Sequence, residues 1–207
     1  MPLHVVSHAV AEHALASLRA HQTPPAEFRR LARQVSLVLA AEATRDLSVA
    51  ETEVETPLEG ARVKRLEGRV VAVPVLRAGL GMLDAFLELV PAAQVGYVGL
   101  ERDEETAVAR TYYEKIPADL DEAAVFLLDP MLATGGSAAS AIAGLVDRGA
   151  RAVRLLSIVA APEGVAHLEQ NVPGTEIFTV ALDRELDARK YIRPGLGDFG
   201  DRLYGTP

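Results

Sequence analysis

The stretch from Asp129 to Ser137, DPMLATGGS, has the residue types of a phosphate-binding loop. It follows an apolar run that ends at Asp129, and Thr134-Gly135-Gly136-Ser137 opens a helical pattern. Adjacent glycines let the backbone approach a ligand, and N–H groups at a helix start form a cradle for a phosphate dianion. Asp129 would repel phosphate, so it suits sugar hydroxyls or a magnesium-bound partner. The alternative is an ordinary helix N-cap formed by Thr134 or Ser137.

Arginines follow two other apolar runs that are predicted to be strands. Arg77 comes directly after VVAVPVL, and Arg102 comes two residues after VGYVGL. Because ligands bind at the carboxyl ends of the strands in a parallel sheet, we expect both guanidinium groups at the same edge as the cradle. Arg77 is a candidate to bind a second phosphate group, with a surface ion pair as the alternative. The long charged segment 103–115 is expected to be a lid, with a solvated hairpin or a dimer arm as alternatives.

The segment Gly195-Leu-Gly197-Asp-Phe-Gly200 has the glycine spacing of a dinucleotide-binding loop. That loop belongs to a βαβ unit, but only seven residues follow Gly200. The dinucleotide interpretation therefore fails here, and a dinucleotide oxidoreductase is a distant alternative. The segment instead predicts a rigid loop whose backbone N–H and C=O groups read a flat heterocycle, with Asp198 and Asp201 beside it.

These segments lie among alternating strand and helix patterns. Strands are predicted at 70–76, 95–100, 123–129, 152–161 and 176–182. Helices are predicted at 79–90, 135–150 and 163–171. The alternation predicts an α/β fold with a parallel sheet flanked by helices. Two helices are expected before the sheet, the second starting at Thr23-Pro24-Pro25 with a capping hydroxyl, and a hairpin is expected over 54–68 with Glu59-Gly60 as its turn.

Composition bounds the class of protein. At 207 residues and 49% hydrophobic residues, the chain is expected to form one domain. The absence of cysteine excludes disulfides, thiolate metal sites and cysteine nucleophiles. The net charge of −8 argues against nucleic-acid binding, and no signal peptide or membrane span is predicted. We therefore expect a cytoplasmic protein without a nucleic-acid or membrane partner. Only three of the 21 basic residues are lysines, which indicates either phosphate recognition or a compositional bias of the source.

Taken together, PVLRAGLGM, LLDPMLATGGS and YIRPGLGDFGDRLYGT resemble the uracil phosphoribosyltransferases, a group within the type I phosphoribosyltransferase family. AEATRDL, RDEET and VAAPEG resemble the remaining blocks, so the resemblance covers nearly the whole chain. Pro130 stands where the wider type I family has a second acid, which is the uracil-specific variant. The resemblance implies a parallel central sheet flanked by helices, with N-terminal helices and a small C-terminal base-binding hood. It also implies a single domain over 1–207, with a core at about 68–183 and a uracil-binding segment at about 184–207.

The reaction implied by the resemblance is uracil plus phosphoribosyl diphosphate (PRPP) giving UMP and pyrophosphate, in pyrimidine salvage. Carried over by matching motif, the catalytic residues are Asp198, Arg77 and Arg102. The residues implied to bind PRPP are Arg77, Arg102, Asp129, Pro130, Met131, Leu132, Ala133, Thr134, Gly135, Gly136, Ser137 and Asp198. Those implied to bind uracil, largely through backbone, are Ile192, Gly197, Asp198 and Phe199.

The resemblance also implies a cofactor and partners. Mg²⁺ is expected to be held through the pyrophosphate of PRPP and waters, without a direct protein ligand. Asp198, acting directly or through water, is a hypothesis for the base that assists proton loss from uracil. A homo-oligomer, dimer or tetramer, is implied, as is GTP activation in several bacterial members, although no spacing in the chain marks a GTP site.

Two related functions remain as alternatives. A PRPP-sensing regulator that binds RNA would need a basic face, which the net charge of −8 opposes. An enzyme for another base, such as a purine, is opposed by the C-terminal block PGLGDFGDRLYGT, which favours uracil.

Overall fold

The computed structural model describes residues 2–102 and 109–206. Its helices are α1 (Ala9–Arg19), α2 (Pro25–Ala43), α3 (Leu80–Leu89), α4 (Gly136–Asp147), α5 (Pro162–Asn171) and α6 (Phe199–Tyr204). Its strands are β1 (Leu3–Val5), β2 (Val49–Glu55), β3 (Gly60–Leu66), β4 (Arg69–Leu76), β5 (Gln94–Val95), β6 (Tyr97–Arg102), β7 (Ala109–Lys115), β8 (Ala123–Leu128), β9 (Met131–Leu132), β10 (Val153–Ala160), β11 (Glu176–Leu182), β12 (Glu185–Leu186) and β13 (Ile192–Arg193).

The main sheet is parallel over most of its width, which confirms the predicted α/β class. Its strand order is β1-β11-β10-β8-β4-β6-β7, with β5 beside β4 and β9 beside β10. Within the described ranges, β6 and β7 pair antiparallel at one edge, and the other pairs of this sheet are parallel. The carboxyl ends of β4, β8, β10 and β11 therefore lie along one edge.

Helices cover both faces of this sheet. In β4, Val70 and Ala72 pack into the core on one face, whereas Val71 and Val73 pack into the core on the other. Helices α1, α2, α3 and α6 contribute to the first core, and α4 and α5 contribute to the second. Burial of both faces explains why the central strands read as continuous apolar runs rather than alternating ones.

The N-terminal helices form as predicted, but the predicted cap of the second helix is wrong. Helix α2 begins at Pro25 and buries Phe28 and Val35. Its N-cap position is Pro24, which makes no side-chain hydrogen bond. The hydroxyl of Thr23 instead donates to the Ser17 carbonyl at 2.5 Å, so it closes the turn that follows α1. Proline fits the first helical turn because an N–H there has no partner within the helix.

The predicted hairpin exists, but its start and its turn differ from the prediction. Strands β2 and β3 pair from Val49↔Leu66 to Glu55↔Gly60, so the hairpin begins before residue 54. The turn lies at 56–59, where the Thr56 hydroxyl accepts the N–H of Leu58 and of Glu59 at 3.2 and 3.1 Å. The prediction of Glu59-Gly60 as the turn is correct for Glu59 and wrong for Gly60, which already belongs to β3.

The described part of segment 103–115 is a strand. Residues 103–108 lie outside the described residues, and residues 109–115 form β7 beside β6. For residues 109–115 this agrees with the hairpin alternative rather than with a lid. Strand β1 was not predicted, and it pairs in parallel with β11 at the opposite edge. Within residues 2–102 and 109–206, no helix is both long enough and apolar enough to cross a membrane.

Candidate active site

The predicted phosphate cradle lies at the carboxyl edge of the sheet. Asp129 directly follows β8, and helix α4 begins seven residues later at Gly136. Gly135 occupies the N-cap position with φ of +81°, and no side chain caps the helix. The alternative of an ordinary N-cap formed by Thr134 or Ser137 is therefore wrong. The first N–H groups of α4 are left to a ligand or solvent, which suits an anion.

Close backbone contacts fix the shape of this loop. A Cβ on Gly135 would lie 2.8 Å from the Gly164 carbonyl oxygen, and one on Gly164 would lie 2.4 Å from the Ala133 carbonyl oxygen. Both distances are shorter than side chains tolerate, so glycine is required where the loop packs on the start of α5. The positive φ of Gly135 adds a second reason for glycine at that position.

One cavity brings the predicted groups together. It has a volume of about 240 Å³ and is lined by Val75, Leu76, Arg77, Ala78, Leu100, Asp129, Met131, Leu132, Ala133, Thr134, Gly135, Ser137 and Ala138. The lining combines the acid after β8, the arginine after β4 and most of the cradle. Pro130 and Gly136 belong to the same loop but do not line the cavity.

Asp129 lies partly buried beside this cavity. Burial raises the pKa of its carboxyl group from 3.8 to about 6, against a weak opposing effect of the Met131 N–H. That N–H lies 3.5 Å from Oδ1, at the limit of a hydrogen bond. The backbone is held more firmly, since the Asp129 carbonyl accepts the Ser157 hydroxyl at 2.5 Å. The backbone of Asp129 is therefore held in place while its carboxylate is poorly solvated, and hydroxyl donors of a ligand would stabilise its charge.

Arg77 is available to a ligand. Its side chain is 62% exposed, and Nη2 lies 3.8 Å from Oδ1 of Asp201. The surface ion pair given as the alternative is therefore present, but an exposed pair at this distance contributes little to stability and leaves most of the guanidinium group open to a ligand. The hydroxyl of Tyr204 donates to the Arg77 carbonyl at 3.2 Å, which joins α6 to this turn. Arg102 ends β6, and its side chain lies outside the described part of the chain.

The predicted base-binding residues do not line this cavity, and helix α6, which begins at Phe199, contacts Arg77 through Asp201 and Tyr204. Ile192 and Phe199 are 5% and 2% exposed and pack in the core. Gly197 is exposed and has φ of +82°. Asp198 is exposed, and its Oδ1 accepts the Asp201 N–H at 2.9 Å as the N-cap of α6. Buried side chains leave mainly the backbone of this loop to contact a ligand.

Two arginines and an aspartate that the sequence did not single out hold this loop. The carboxylate of Asp183, directly after β11, pairs with Arg19 and accepts the Gly195 N–H. Arg202 donates to the carbonyls of Leu18, Leu196 and Ala20. An acid directly after a buried strand is the signal that identified Asp129, and it applies equally to Asp183. No local signal marks Arg19, whose partner is 164 positions away.

Comparison with known proteins identifies the family to which the chain belongs. Residues 5–206 match the uracil phosphoribosyltransferase family. Relatives named uracil phosphoribosyltransferase include one from Thermus thermophilus, 50% identical over 207 residues and covering 100% of both chains. Another, from Staphylococcus epidermidis, is 48% identical over 205 residues, or 99% of this chain and 98% of the relative.

Two solved structures have a similar fold. The AQ2163 protein from Aquifex aeolicus is 36% identical and superposes with a TM-score of 0.93 over 98% of this chain and 97% of that one. A hypoxanthine phosphoribosyltransferase from Staphylococcus aureus is 11% identical, with a TM-score of 0.51 over 81% of this chain and 86% of that one. The second likeness shows the fold alone.

The raised pKa of Asp129 predicts a pH-dependent cost to stability. Because the folded state binds this proton more tightly than the unfolded state does, stability falls as pH rises from about 4 to about 6. Asp129→Asn removes the charge and keeps the oxygen that faces the Met131 N–H. At pH 7.5 we expect the variant to be more stable than the parent by about 1–3 kcal/mol, with little difference near pH 4. Urea unfolding at both pH values measures this, and an equal difference at both would contradict it.

Proposed function

The chain belongs to the uracil phosphoribosyltransferase family, which makes UMP from uracil and PRPP in pyrimidine salvage, and we propose which of its residues carry out that reaction. The supporting observation is the cavity of about 240 Å³ that joins Arg77, Asp129 and the start of α4. A sugar phosphate that carries a diphosphate needs an anion cradle, a hydroxyl acceptor and a second cationic group. These three features lie together at the carboxyl ends of β4 and β8.

PRPP binds in this cavity. The N–H groups at the start of α4, which no side chain caps, hold the 5-phosphate together with the Thr134 and Ser137 hydroxyls. Asp129 accepts the ribose hydroxyls, because a carboxylate that accepts hydroxyl protons there is stabilised rather than repelled. Arg77 and Arg102 bind the pyrophosphate, with planar guanidinium groups that match phosphate oxygens. Residues 130–133 shape the loop between the acid and the cradle.

Uracil is read by the backbone of Ile192 and of 197–199. This assignment agrees with the burial of the Ile192 and Phe199 side chains, which leaves their peptide groups as the parts able to reach a ligand. A base bound by backbone N–H groups is selected by hydrogen-bond polarity. Cytosine has a donor amine where uracil has an acceptor carbonyl, so a backbone N–H aimed there would face a second donor.

The reaction is displacement at the anomeric carbon of ribose. The bond to the pyrophosphate oxygen breaks as the bond to a uracil ring nitrogen forms, through an oxocarbenium-like transition state. Arg77 and Arg102 stabilise the charge that develops on the leaving pyrophosphate. Asp198 takes the ring proton, directly or through a water molecule. No covalent intermediate with the protein is needed.

Mg²⁺ is the proposed cofactor. The described residues contain no group of three or more His, Asp or Glu side chains placed to hold a metal ion. An ion that arrives with a diphosphate needs fewer protein donors, since Mg²⁺ retains waters and binds phosphate oxygens. Its donors would be PRPP oxygens and waters that hydrogen-bond to Asp198. When bound, it neutralises charge on the departing pyrophosphate. A GTP effector, a homo-oligomer and a cytoplasmic location remain predictions of the resemblance.

Formation of UMP from uracil and PRPP in the presence of Mg²⁺ tests this function. Uracil, cytosine, hypoxanthine and adenine are supplied in parallel, each with and without GTP. We expect turnover with uracil and about 10⁴-fold lower kcat/KM with cytosine. Comparable rates for the two pyrimidines would refute backbone reading of the base. Retained PRPP binding without turnover of any base would instead favour a PRPP-sensing regulator.

Asp198→Asn separates proton transfer from folding. Asparagine caps helices about as well as aspartate, so we expect α6 and the melting temperature to be unchanged. The amide cannot take a proton, so kcat/KM for uracil is expected to fall by about 10²–10⁴-fold. An unchanged kcat/KM across the pH range would remove Asp198 from the role of base.

A further inference from the structure

An ion pair between Arg19 and the buried Asp183 holds the backbone of Gly195 at both its N–H and its carbonyl. Oδ2 of Asp183 accepts the Gly195 N–H at 2.9 Å. Nη1 of Arg19 donates to the Gly195 carbonyl at 2.7 Å. The same Arg19 nitrogen donates to Oδ2 of Asp183 at 2.8 Å, and Nη2 donates to Oδ1 at 2.6 Å. We propose that Arg19 and Asp183 are positioning residues for uracil recognition, which set the backbone that reads the base.

Asp183 is placed for this role by the sheet. It directly follows β11, so it lies at the same carboxyl edge as Asp129 and Arg77. Its side chain is 6% exposed, whereas that of Arg19 is 24% exposed. Each carboxylate oxygen has at least one charge-assisted partner, in the bidentate geometry that fixes orientation best. Asp183 is therefore occupied by protein groups, in contrast to Asp129.

Arg19 is the last residue of α1 and connects the N-terminal helices to the loop. A positive charge at a helix C-terminus is favoured by the helix dipole. The guanidinium group reaches Asp183 and Gly195 from there, so the position of the loop depends on the packing of α1. A lysine at the same place would keep the charge but lose the fork that engages three oxygen atoms together.

The Arg19–Asp183 pair contacts a residue whose own backbone conformation is restricted. Gly195 has φ of +60°, and a Cβ there would lie 2.2 Å from the Ile192 carbonyl oxygen. The carbonyl of the next residue, Leu196, accepts Arg202 at 2.7 Å. The proposed base-reading groups of Ile192 and Gly197 stand on either side of these anchored peptides. Recognition of a base by backbone hydrogen bonds requires the donor and acceptor atoms to be placed to within about 0.5 Å. A shift of the Gly195 backbone would therefore misplace the backbone groups of Ile192 and Gly197.

A matched ion pair elsewhere in the chain serves as the control. Arg154 donates to both carboxylate oxygens of Asp46 at 2.6 and 2.8 Å and to the Ala43 carbonyl at 2.6 Å. It has the same bidentate form and an added carbonyl acceptor. It lies at the amino end of β10, at the opposite edge of the sheet from the cavity. Asp46→Asn therefore breaks a bidentate pair of the same form, at a carboxylate that is 69% exposed where Asp183 is 6% exposed, without touching the proposed site.

The inference rests on the proposed function, so the test begins with the parent enzyme. Steady-state constants for uracil and for PRPP are measured for the parent, Asp183→Asn, Arg19→Lys and Asp46→Asn, with melting temperatures for all four. We expect KM for uracil to rise about tenfold or more in Asp183→Asn and Arg19→Lys, while KM for PRPP changes less than about twofold. The preference for uracil over cytosine should fall in the same two variants.

The outcomes distinguish failure of the proposed function from failure of the positioning role of Arg19 and Asp183. If the parent fails to turn over uracil, the proposed function fails, and this inference fails with it. If the parent is active but the Arg19 and Asp183 variants match Asp46→Asn, losing only stability, the pair is purely structural and the positioning role is overturned. If Asp183→Asn does not fold, Arg19→Lys decides alone, because it retains the charge opposite Asp183. Equal rises in both KM values would also overturn the proposal.

Discussion

Parallel pairing of β4, β8, β10 and β11 is the constraint on which the site depends. Pairs such as Pro74↔Leu128 and Ala160↔Leu182 keep the carboxyl ends of these strands at one edge. The residue that follows each strand then lies close to the others, whatever its separation in sequence. Arg77, Asp129 and Asp183 all reach the site in this way. The helices on both faces bury the strands and so hold that edge in register.

Two aspartates at this edge show how different surroundings lead to different roles. Asp183 has a bidentate arginine and a backbone N–H, so its charge is satisfied within the protein. Asp129 faces a cavity, with a 3.5 Å contact to a backbone N–H and a pKa raised to about 6. The first carboxylate stabilises structure, and the second carries a cost that the hydroxyl donors of the proposed ligand would relieve. Retaining a poorly solvated charge in a cleft is typical of functional sites.

Much of the fold was predictable because strands buried on both faces and amphipathic helices leave local patterns. The runs at 70–76 and 123–129 and the glycines at 135–136 predicted Arg77, Asp129 and the cradle, most of which lines the cavity. Strand β1 was not predicted, because a strand of three residues is too short to show a hydrophobic pattern. The start of β2 at Val49 was not predicted, because the residues of this strand are mostly exposed and show no apolar face.

The contacts that hold the C-terminal loop were not predictable from local sequence. Arg19 and Arg29 contact residues more than 160 positions away, and such pairs follow from the packing of α1 and α2 rather than from spacing. The excess of arginine in the sequence indicates phosphate recognition or compositional bias. In the structure, Arg19, Arg29 and Arg202 donate to backbone carbonyls that hold the loop and α6. Part of the arginine content therefore has a structural role that neither interpretation included.

The central claim is that one nucleotide site spans the cradle, Asp129 and the C-terminal loop. A crystal structure of the protein with UMP tests it most directly. The account predicts phosphate oxygens within about 3.2 Å of the N–H groups at the start of α4, and ribose hydroxyls at the same distance from Asp129. The uracil ring should meet the backbone of Ile192 and of 197–199. UMP bound with its phosphate away from α4, or with its base away from that loop, would contradict the account.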